Sequence, residues 1–232
     1  MKRLVVLTGA GISAESGIRT FRDSNGLWES YRIEEVASPE GWRANPSLVL
    51  NFYSTRREEL RKAKPNEGHL GLARLQDFCD VEVITQNIDN LHEKAGSKKV
   101  LHLHGELNKV CSSCDQDYII SLSEDQPYIQ LGDLCPKGCQ LRPFVVWFGE
   151  PVPNIEQAIQ LTQQANIFLI VGTSMNVYPA AGLIHYLQPN VPIVVIDPKP
   201  ITLFTAHPLF TIQKPASSGI LEAEEIIKKT ML

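Results

Sequence analysis

The sequence has no long apolar segment. Among its 232 residues, no uninterrupted apolar run approaches the roughly 18 residues that a membrane-spanning helix needs. The first strand pattern already starts at residue 4, which leaves no room for a signal peptide. We therefore expect a cytoplasmic protein with no membrane partner.

An excess of basic residues is also missing. Lys and Arg together number 22 against 26 Asp and Glu, and the formal net charge is −4. A broad nucleic-acid-binding surface requires a basic face, so we expect no nucleic acid among the partners. Hydrophobic residues make up 43% of the chain, which is enough to fill a substantial core.

Cysteine is scarce, but four of the five cysteines are clustered, as Cys111-x2-Cys114 and Cys135-x3-Cys139. In a reducing compartment, clustered cysteines bind metal more often than they form disulfides. Two close pairs of thiolates can surround Zn²⁺ tetrahedrally. We predict that all four hold a structural zinc; a reduced or disulfide-linked pair of loops is the alternative.

The chain opens with a buried-strand pattern followed by a glycine turn. Apolar residues 4–7 precede Gly9-x-Gly11-x-x-Ala14, the pattern of a dinucleotide-binding turn. Gly9 allows the tight turn, and Gly11 lets backbone N–H groups approach an anion. A helix expected to begin near Ser13 would direct its positive end at the phosphates. Such a turn also occurs in α/β proteins that bind no dinucleotide.

Three further apolar runs, 81–85, 167–171 and 192–196, alternate with helical patterns. This order predicts an α/β fold, a Rossmann-like parallel sheet with helices on both faces. Ligand groups are expected at the carboxyl ends of such strands. The polar residues there are Gln86, Asn87 and Asp89, then Gly172, Thr173 and Ser174, and finally Asp197, a candidate acceptor for ribose hydroxyls.

Two histidines alternate in the segment 100–105. His104 is nearest to the expected carboxyl end of its strand, so we predict that it transfers a proton at neutral pH. His102 is predicted to be a hydrogen-bonded structural residue.

A helix is predicted after Asn45-Pro46, which supplies an N-cap and an N1 proline. Tyr53 and Arg56 share one face of it and can receive a carboxylate. From spacing alone, a solvated helix in a very basic stretch is the favoured alternative.

Taken in order, these motifs resemble the sirtuins, the NAD-dependent protein-lysine deacylases. The resemblance covers nearly the whole chain. It is carried by Gly9-Ala10-Gly11-Ile12-Ser13, Ser16-Gly17-Ile18, Phe21-Arg22, Thr85-Gln86-Asn87-Ile88-Asp89, His104-Gly105, the four cysteines, the stretch 145–150 and Gly172-Thr173-Ser174.

The resemblance implies one catalytic unit over residues 1–232. Its Rossmann-like large domain would comprise 1–30, 75–109 and 143–232. Its small domain would comprise a helical insert, 31–74, and a zinc module, 110–142. NAD, as co-substrate, and an acylated-lysine protein or peptide would meet in the cleft between them. We expect a monomer.

The chemistry implied by the resemblance is attack of the acyl oxygen on the ribose carbon that bears nicotinamide. His104 would act as general base on the ribose hydroxyls, with Asn87 as a second catalytic residue. The products would be free lysine, nicotinamide and 2′-O-acyl-ADP-ribose.

The resemblance also implies binding roles for further residues. Substrate peptide would contact Val146, Phe148, Gly149, Glu150 and Val177. NAD would contact Gly9, Ala10, Gly11, Ser13, Glu15, Phe21, Arg22, Trp28, Gln86, Asn87, Ile88, Asp89, Gly172, Thr173, Ser174, Asp197 and Ala216.

Tyr53-x-x-Arg56 resembles the pair of the class III sirtuins, which bind the carboxylate of succinyl- and malonyl-lysine. Desuccinylase activity is therefore expected, alongside deacetylase activity. Arg19 departs from the family pattern, since many members have proline there, and Asp197 replaces an expected asparagine.

Three other functions are compatible with parts of the pattern. The same activated ribose would serve ADP-ribosyl transfer to protein. A module that holds NAD or ADP-ribose without turnover is opposed by the presence of His104. A zinc-ribbon nucleic-acid binder is opposed by the acidic balance.

Overall fold

The computed structural model describes residues 1–19, 31–123 and 125–231. The strands in this part of the chain are β1 (Arg3–Thr8), β2 (Asp80–Thr85), β3 (Val100–His102), β4 (Gly105–Ser112), β5 (Ile119–Ser121), β6 (Leu141–Val145), β7 (Ile167–Val171), β8 (Ile193–Ile196) and β9 (Leu209–Ile212). The α-helices are α1 (Gly11–Ala14), α2 (Ile33–Val36), α3 (Pro39–Ala44), α4 (Pro46–Lys62), α5 (Glu67–Arg74), α6 (Leu91–Lys94), α7 (Ile155–Gln163) and α8 (Ala216–Met231). Two 3-10 helices, Leu75–Asp77 and Ala180–Tyr186, are also present.

Six strands form a parallel sheet in the order β3-β2-β1-β7-β8-β9. Its central strands are those that the apolar runs predict, and residues 4–7 of β1 are fully buried. A parallel sheet needs cover on both faces, which explains why the central runs 4–7 and 167–171 are apolar without alternation. The predicted α/β class is confirmed.

Alternate side chains of the central strands enter two different cores. Leu4 of β1 packs in the same core as Ile220 of α8. Val5 packs on the other face, in a core with Ala158 of α7 and Leu183 of the second 3-10 helix. Helices therefore cover both faces, as predicted.

A smaller module stands beside this sheet. Strands β5, β4 and β6 form an antiparallel sheet with β6 at one edge. Helices α2 and α4 contribute Val36 and Phe52 to a third core, which also contains Trp147. These elements form one wall of the cleft described below.

Helix α4 begins where the sequence predicts. The Asn45 side chain accepts a hydrogen bond from the Leu48 amide at 3.0 Å, and Pro46 occupies the first turn, where its missing N–H costs nothing. Over its 17 residues, α4 buries Tyr53 and Arg56.

Helix α5 packs with the parallel sheet, whereas the sequence assigns it to the insert 31–74. Its Leu72 lies in the core beneath the sheet. A Cβ added to Gly71 would lie 2.3 Å from Cγ1 of Ile220, so the glycine allows α5 and α8 to approach closely. The packing of α5 therefore differs from that of α2 and α4.

Across the described part of the chain, no helix combines the length and the apolar character that a bilayer crossing demands.

Candidate active site

A cleft of about 1050 Å³ lies at the carboxyl ends of the parallel strands, where the sheet meets the small module. The glycine turn after β1, Gln86 and Asn87 after β2, the segment 172–174 after β7 and Asp197 after β8 all line it. This is the position expected for a ligand in a parallel α/β sheet. From the small module, α4 and the segment 146–150 line the same cleft.

The glycine turn is pressed against the turn that follows β7. A Cβ on Gly9 would lie 2.7 Å from Cβ of Thr173, and one on Gly11 would lie 2.7 Å from Cα of Gly172. The Gly11 amide donates to the Gly172 carbonyl at 2.8 Å rather than pointing at an open anion site. Both glycines are thus required by contact between two turns. The helix that follows is a single turn, Gly11–Ala14.

A buried polar network joins this turn to the segment after β2. Asn87 Nδ2 donates to the Gly9 carbonyl at 3.1 Å and to the Ser13 hydroxyl at 3.2 Å. Ser13 in turn donates to Asp89 Oδ2 at 2.9 Å. Burial raises the pKa of Asp89, although the Leu91 amide and Ser13 oppose the shift by hydrogen bonding. The network fixes the Asn87 amide at the rim of the cleft.

His104 has one ring nitrogen fixed by the backbone. Its Nδ1 lies 2.9 Å from the carbonyl oxygen of Gln86, which can only accept, so Nδ1 carries the hydrogen and Nε2 carries the lone pair. Burial lowers the pKa of His104, with the Gln86 hydrogen bond opposing it. The imidazole is therefore neutral near pH 7 and can accept a proton in the cleft.

His102 differs from His104 in that both of its ring nitrogens have hydrogen-bond partners. Its Nδ1 contacts the Asn87 carbonyl at 2.9 Å and its Nε2 contacts Glu93 Oε1 at 2.8 Å. Burial lowers the pKa of His102, but the hydrogen bond and charge of Glu93 outweigh it and the net shift is upward. Both nitrogens are engaged, in agreement with the predicted structural role.

Gln86 connects two strand ends. Its side-chain Nε2 donates to Thr173 Oγ1 at 3.0 Å, while its backbone carbonyl oxygen accepts the hydrogen bond from His104 Nδ1. A side chain from the end of β2 thus bridges to the turn after β7 and fixes the spacing between the two.

Tyr53 and Arg56 are 3% and 5% exposed, which excludes the solvated-helix alternative. Both line the cleft. The Tyr53 oxygen accepts a hydrogen bond from Trp147 Nε1 at 3.0 Å. Burial raises the pKa of Tyr53 to about 12, so the phenol remains protonated and keeps its own hydrogen to donate. Burial lowers the pKa of Arg56, whereas Glu59 opposes that shift.

The segment 146–150 is fixed by hydrogen bonds to neighbouring backbone and side-chain groups. The Val146 amide donates to the His104 carbonyl at 3.0 Å, and the Phe148 amide donates to the Ala37 carbonyl at 3.0 Å. Glu150 receives Arg142 Nη1 at 2.6 Å and the Trp147 amide at 2.8 Å. The carboxylate of Glu150 therefore shapes this segment.

Three of the four clustered cysteines come together. The Sγ atoms of Cys114, Cys135 and Cys139 all lie within 4.8 Å of one another, and the Ser112 hydroxyl lies 3.2 Å from Cys135 Sγ. Three sulfur donors could contribute to a structural zinc site, which takes four ligands. Zinc binds thiolates, and the structure joins Cys114 and Cys139 in a disulfide, so both would have to be reduced before they could hold the metal.

Among the described residues, the Sγ atom of Cys111 lies outside this group of sulfurs, and the prediction of four zinc ligands stays a prediction. Adjacent side chains of a strand point to opposite faces, and Ser112 faces the cluster. Cys111 lies instead near Arg142 and Glu150. Burial raises the pKa of its thiol, with Arg142 lowering it and Glu150 adding to the rise. Strand alternation accounts for the different directions of the Cys111 and Ser112 side chains.

The remaining predicted residues divide into three groups. Ile88 and Val177 line the cleft, as does Glu15, whose carboxylate also accepts from the Ser217 amide at 3.0 Å and so caps α8. Ala216 is buried at the start of α8 and does not line the cleft. The predicted NAD contacts that lie outside the described residues are Phe21, Arg22 and Trp28.

Sequence reasoning missed two residues that hold Tyr53 and Arg56 in the cleft wall. Trp147 supplies the hydrogen bond to Tyr53, and Glu59 pairs with Arg56 at 2.7 Å. The i,i+3 spacing of Arg56 and Glu59 on one helix was a usable signal for the second. Nothing local marks the first, because residues 53 and 147 are far apart in the chain.

A family model and individual relatives point to the same protein family. The Sir2 family pattern matches residues 9–179. A relative from Bacteroides thetaiotaomicron, named NAD-dependent protein deacylase, is 53% identical over 230 residues and covers 98% of each chain. A Helicobacter pylori protein of the same name is 52% identical over 199 residues and covers 86% of each chain.

Solved structures agree. A Sir2 homologue variant bound to ADP-ribose superposes with a TM-score of 0.89 at 38% identity, covering 99% of this chain and 93% of that one. A Sir2 homologue in complex with NAD gives a TM-score of 0.87 at 37% identity, covering 100% and 91%. With this sequence match and this geometry, the chain belongs to the Sir2 family.

Proposed function

We propose that the protein removes acyl groups from protein lysines with NAD as co-substrate, and that it accepts succinyl- and malonyl-lysine as well as acetyl-lysine. One observation carries the proposal. A neutral imidazole, that of His104, lines the same cleft as a buried guanidinium and a buried phenol, those of Arg56 and Tyr53. The names of the relatives and the NAD and ADP-ribose complexes of the structural neighbours support the choice of co-substrate.

The residues of the strand ends fit NAD. The turns after β1, β2 and β7 line the cleft together, and Gln86, Thr173 and Ser174 place polar groups there. NAD would supply an activated ribose carbon that loses nicotinamide when the acyl oxygen attacks. Asn87, held at its Nδ2 by Gly9 and Ser13, would orient polar groups of this co-substrate.

His104 would act as the general base. With Nδ1–H donated to the Gln86 carbonyl, the tautomer is fixed and Nε2 is presented as the acceptor for a ribose hydroxyl proton. The downward pKa shift keeps this nitrogen unprotonated at neutral pH. Fixed dipoles at the strand ends would supply electrostatic stabilisation without reorganisation.

Arg56 and Tyr53 would recognise a carboxylate at the end of the acyl chain. A guanidinium and a protonated phenol can both donate to one carboxylate, and charge-assisted hydrogen bonds of this kind are among the strong ones. Both residues are largely withdrawn from water, so the interaction would be weakly screened.

The peptide around the acylated lysine would bind by strand addition. Strand β6 is at the edge of its sheet, and the segment 146–149 that follows it lines the cleft together with Val177. Main-chain hydrogen bonds would give affinity with little dependence on sequence.

The test is to incubate the protein with NAD and three peptides that differ only in the acyl group on lysine: acetyl, succinyl and malonyl. We expect nicotinamide release coupled to acyl loss and to a 2′-O-acyl-ADP-ribose product, followed by mass. Acyl loss at the same rate without NAD would refute the proposal. ADP-ribose found on a protein target, without acyl loss, would assign the same cleft to ADP-ribosyl transfer.

A further inference from the structure

The carboxylate of Glu59 lies between two guanidinium groups. Its Oε2 accepts from Arg56 Nη1 at 2.7 Å, and its Oε1 accepts from Arg19 Nη2 at 2.6 Å and from Arg19 Nε at 3.1 Å. Side-chain exposure rises along the series, from 6% for Arg56 through 24% for Glu59 to 44% for Arg19. The group therefore runs from the cleft wall to solvent.

Arg56 is the buried cation of this group, and it is the member that lines the cleft. A buried cation is costly unless it is paired, and Glu59 provides that partner within the protein itself. A neutral acyl group can then occupy the cleft without leaving Arg56 as an uncompensated charge.

We propose that Glu59 is a specificity-determining residue: it is the built-in counter-ion of Arg56, and it competes with the acyl carboxylate of the substrate for the same guanidinium. This inference rests on the proposed role of Arg56. Glu59 lets the site accept acetyl-lysine and limits its preference for succinyl- and malonyl-lysine. Arg19 shares the Glu59 carboxylate and so weakens its hold on Arg56.

The proposal makes two predictions of opposite sign. In Glu59→Gln, Arg56 loses the charge of the Glu59 carboxylate, so KM for the succinyl peptide falls and KM for the acetyl peptide rises. We expect the succinyl-to-acetyl ratio of kcat/KM to rise about tenfold, the change produced by about 1.4 kcal/mol. In Arg19→Gln, Glu59 is released onto Arg56, and the same ratio falls.

The experiment measures kcat and KM for both peptides at saturating NAD, so that changes in NAD binding cancel from the ratio. Glu58→Gln is the matched control. It removes the same charge from the neighbouring position of α4, where Glu58 is exposed and pairs with Arg61. Its ratio should equal that of the parent. Melting temperatures of all variants check the fold, and Arg19→Gln keeps the proposal testable should Glu59→Gln fold poorly.

The outcomes separate this inference from the function on which it rests. Arg56→Met, measured in parallel, tests the function: equal loss on both peptides overturns carboxylate recognition itself. If Arg56→Met is selective but Glu59→Gln leaves the ratio unchanged, the competition is refuted and the function stands. If Glu59→Gln lowers the ratio, Glu59 orients Arg56 for the substrate, and the competition is again refuted.

Discussion

The two ends of the cleft are built from different chemistry. At the end formed by the strand termini, where Asp197 also lines the cleft, the two proposed catalytic groups are neutral and are held by backbone carbonyls: Asn87 by that of Gly9 and His104 by that of Gln86. At the end formed by α4, the main groups are charged, and Arg56 is held by Glu59. Fixed dipoles can stabilise a reaction step that every substrate shares. Charged groups can discriminate between substrates that differ in charge.

This difference implies a division of effects. Substitutions at the neutral end should slow the removal of all acyl groups alike. Substitutions at the charged end should change the ratio between acyl groups and leave the common step intact. Each prediction below tests that division.

The largest effect is expected for His104→Ala. Loss of a positioned general base should lower kcat by about 10²–10⁴-fold. The loss should be equal for acetyl and succinyl peptides, because the base acts on the ribose and not on the acyl group. Nicotinamide release measures the rate, and an NAD-dependent rise in melting temperature checks that the variant is folded. A loss of activity on only one of the two peptides would contradict the division between a neutral end and a charged end.

Arg56→Met should give the next largest effect. Removing a hydrogen-bonded charge costs about 1.5–3 kcal/mol, which corresponds to roughly a 10- to 100-fold loss in kcat/KM for the succinyl peptide. The acetyl peptide should lose no more than a few-fold. Arg61→Met, at an exposed position of the same helix, is the control and should change neither rate. Equal losses on both peptides would remove Arg56 from acyl recognition.

The neutral end was the more predictable of the two. Gln86 and Asn87 follow the predicted strand 81–85, and His104 lies in the alternating segment 100–105. Parallel topology brings the ends of such strands to one edge whatever the rest of the chain does. What the sequence did not reveal there is the contact between Gly11 and Gly172. It depends on two turns more than 150 residues apart meeting in space.

At the charged end and in the cysteine module, local sequence pattern does not determine which way a side chain points. Spacing placed Tyr53 and Arg56 on one face but could not tell a buried face from a solvated one, since the surrounding stretch is basic. Four cysteines in two pairs suggested four ligands, but spacing alone does not say which way each side chain points. Alternation along β4 sends Cys111 and Ser112 to opposite faces, and only the second faces the sulfurs.

Tyr53→Phe tests the charged end further, and its expected effect on kcat/KM is smaller. The ring is kept, but the donor to the acyl carboxylate is lost, so kcat/KM for the succinyl peptide should fall about fivefold, as expected for roughly 1 kcal/mol. The acetyl rate should stay near that of the parent. The same change leaves the buried Trp147 N–H without its acceptor, so the free energy of unfolding should fall by about 1–3 kcal/mol. An unaltered denaturation midpoint would argue against the Trp147 hydrogen bond.

The smallest effect is expected for the ratio of kcat between the succinyl and acetyl peptides as the pH falls. His104 must be neutral to accept a proton, and burial lowers its pKa below the ordinary 6.5, so activity is full at pH 7 and is lost as pH falls through the lowered pKa. At the charged end, Tyr53 has a pKa of about 12 and Arg56 remains a cation, so neither changes charge in that range. The acid limbs of kcat for acetyl and succinyl peptides should therefore coincide, because one imidazole controls both. Limbs that separate by a full pH unit would mean that a group at the acyl end titrates with the reaction, and the division between a neutral end and a charged end would fail.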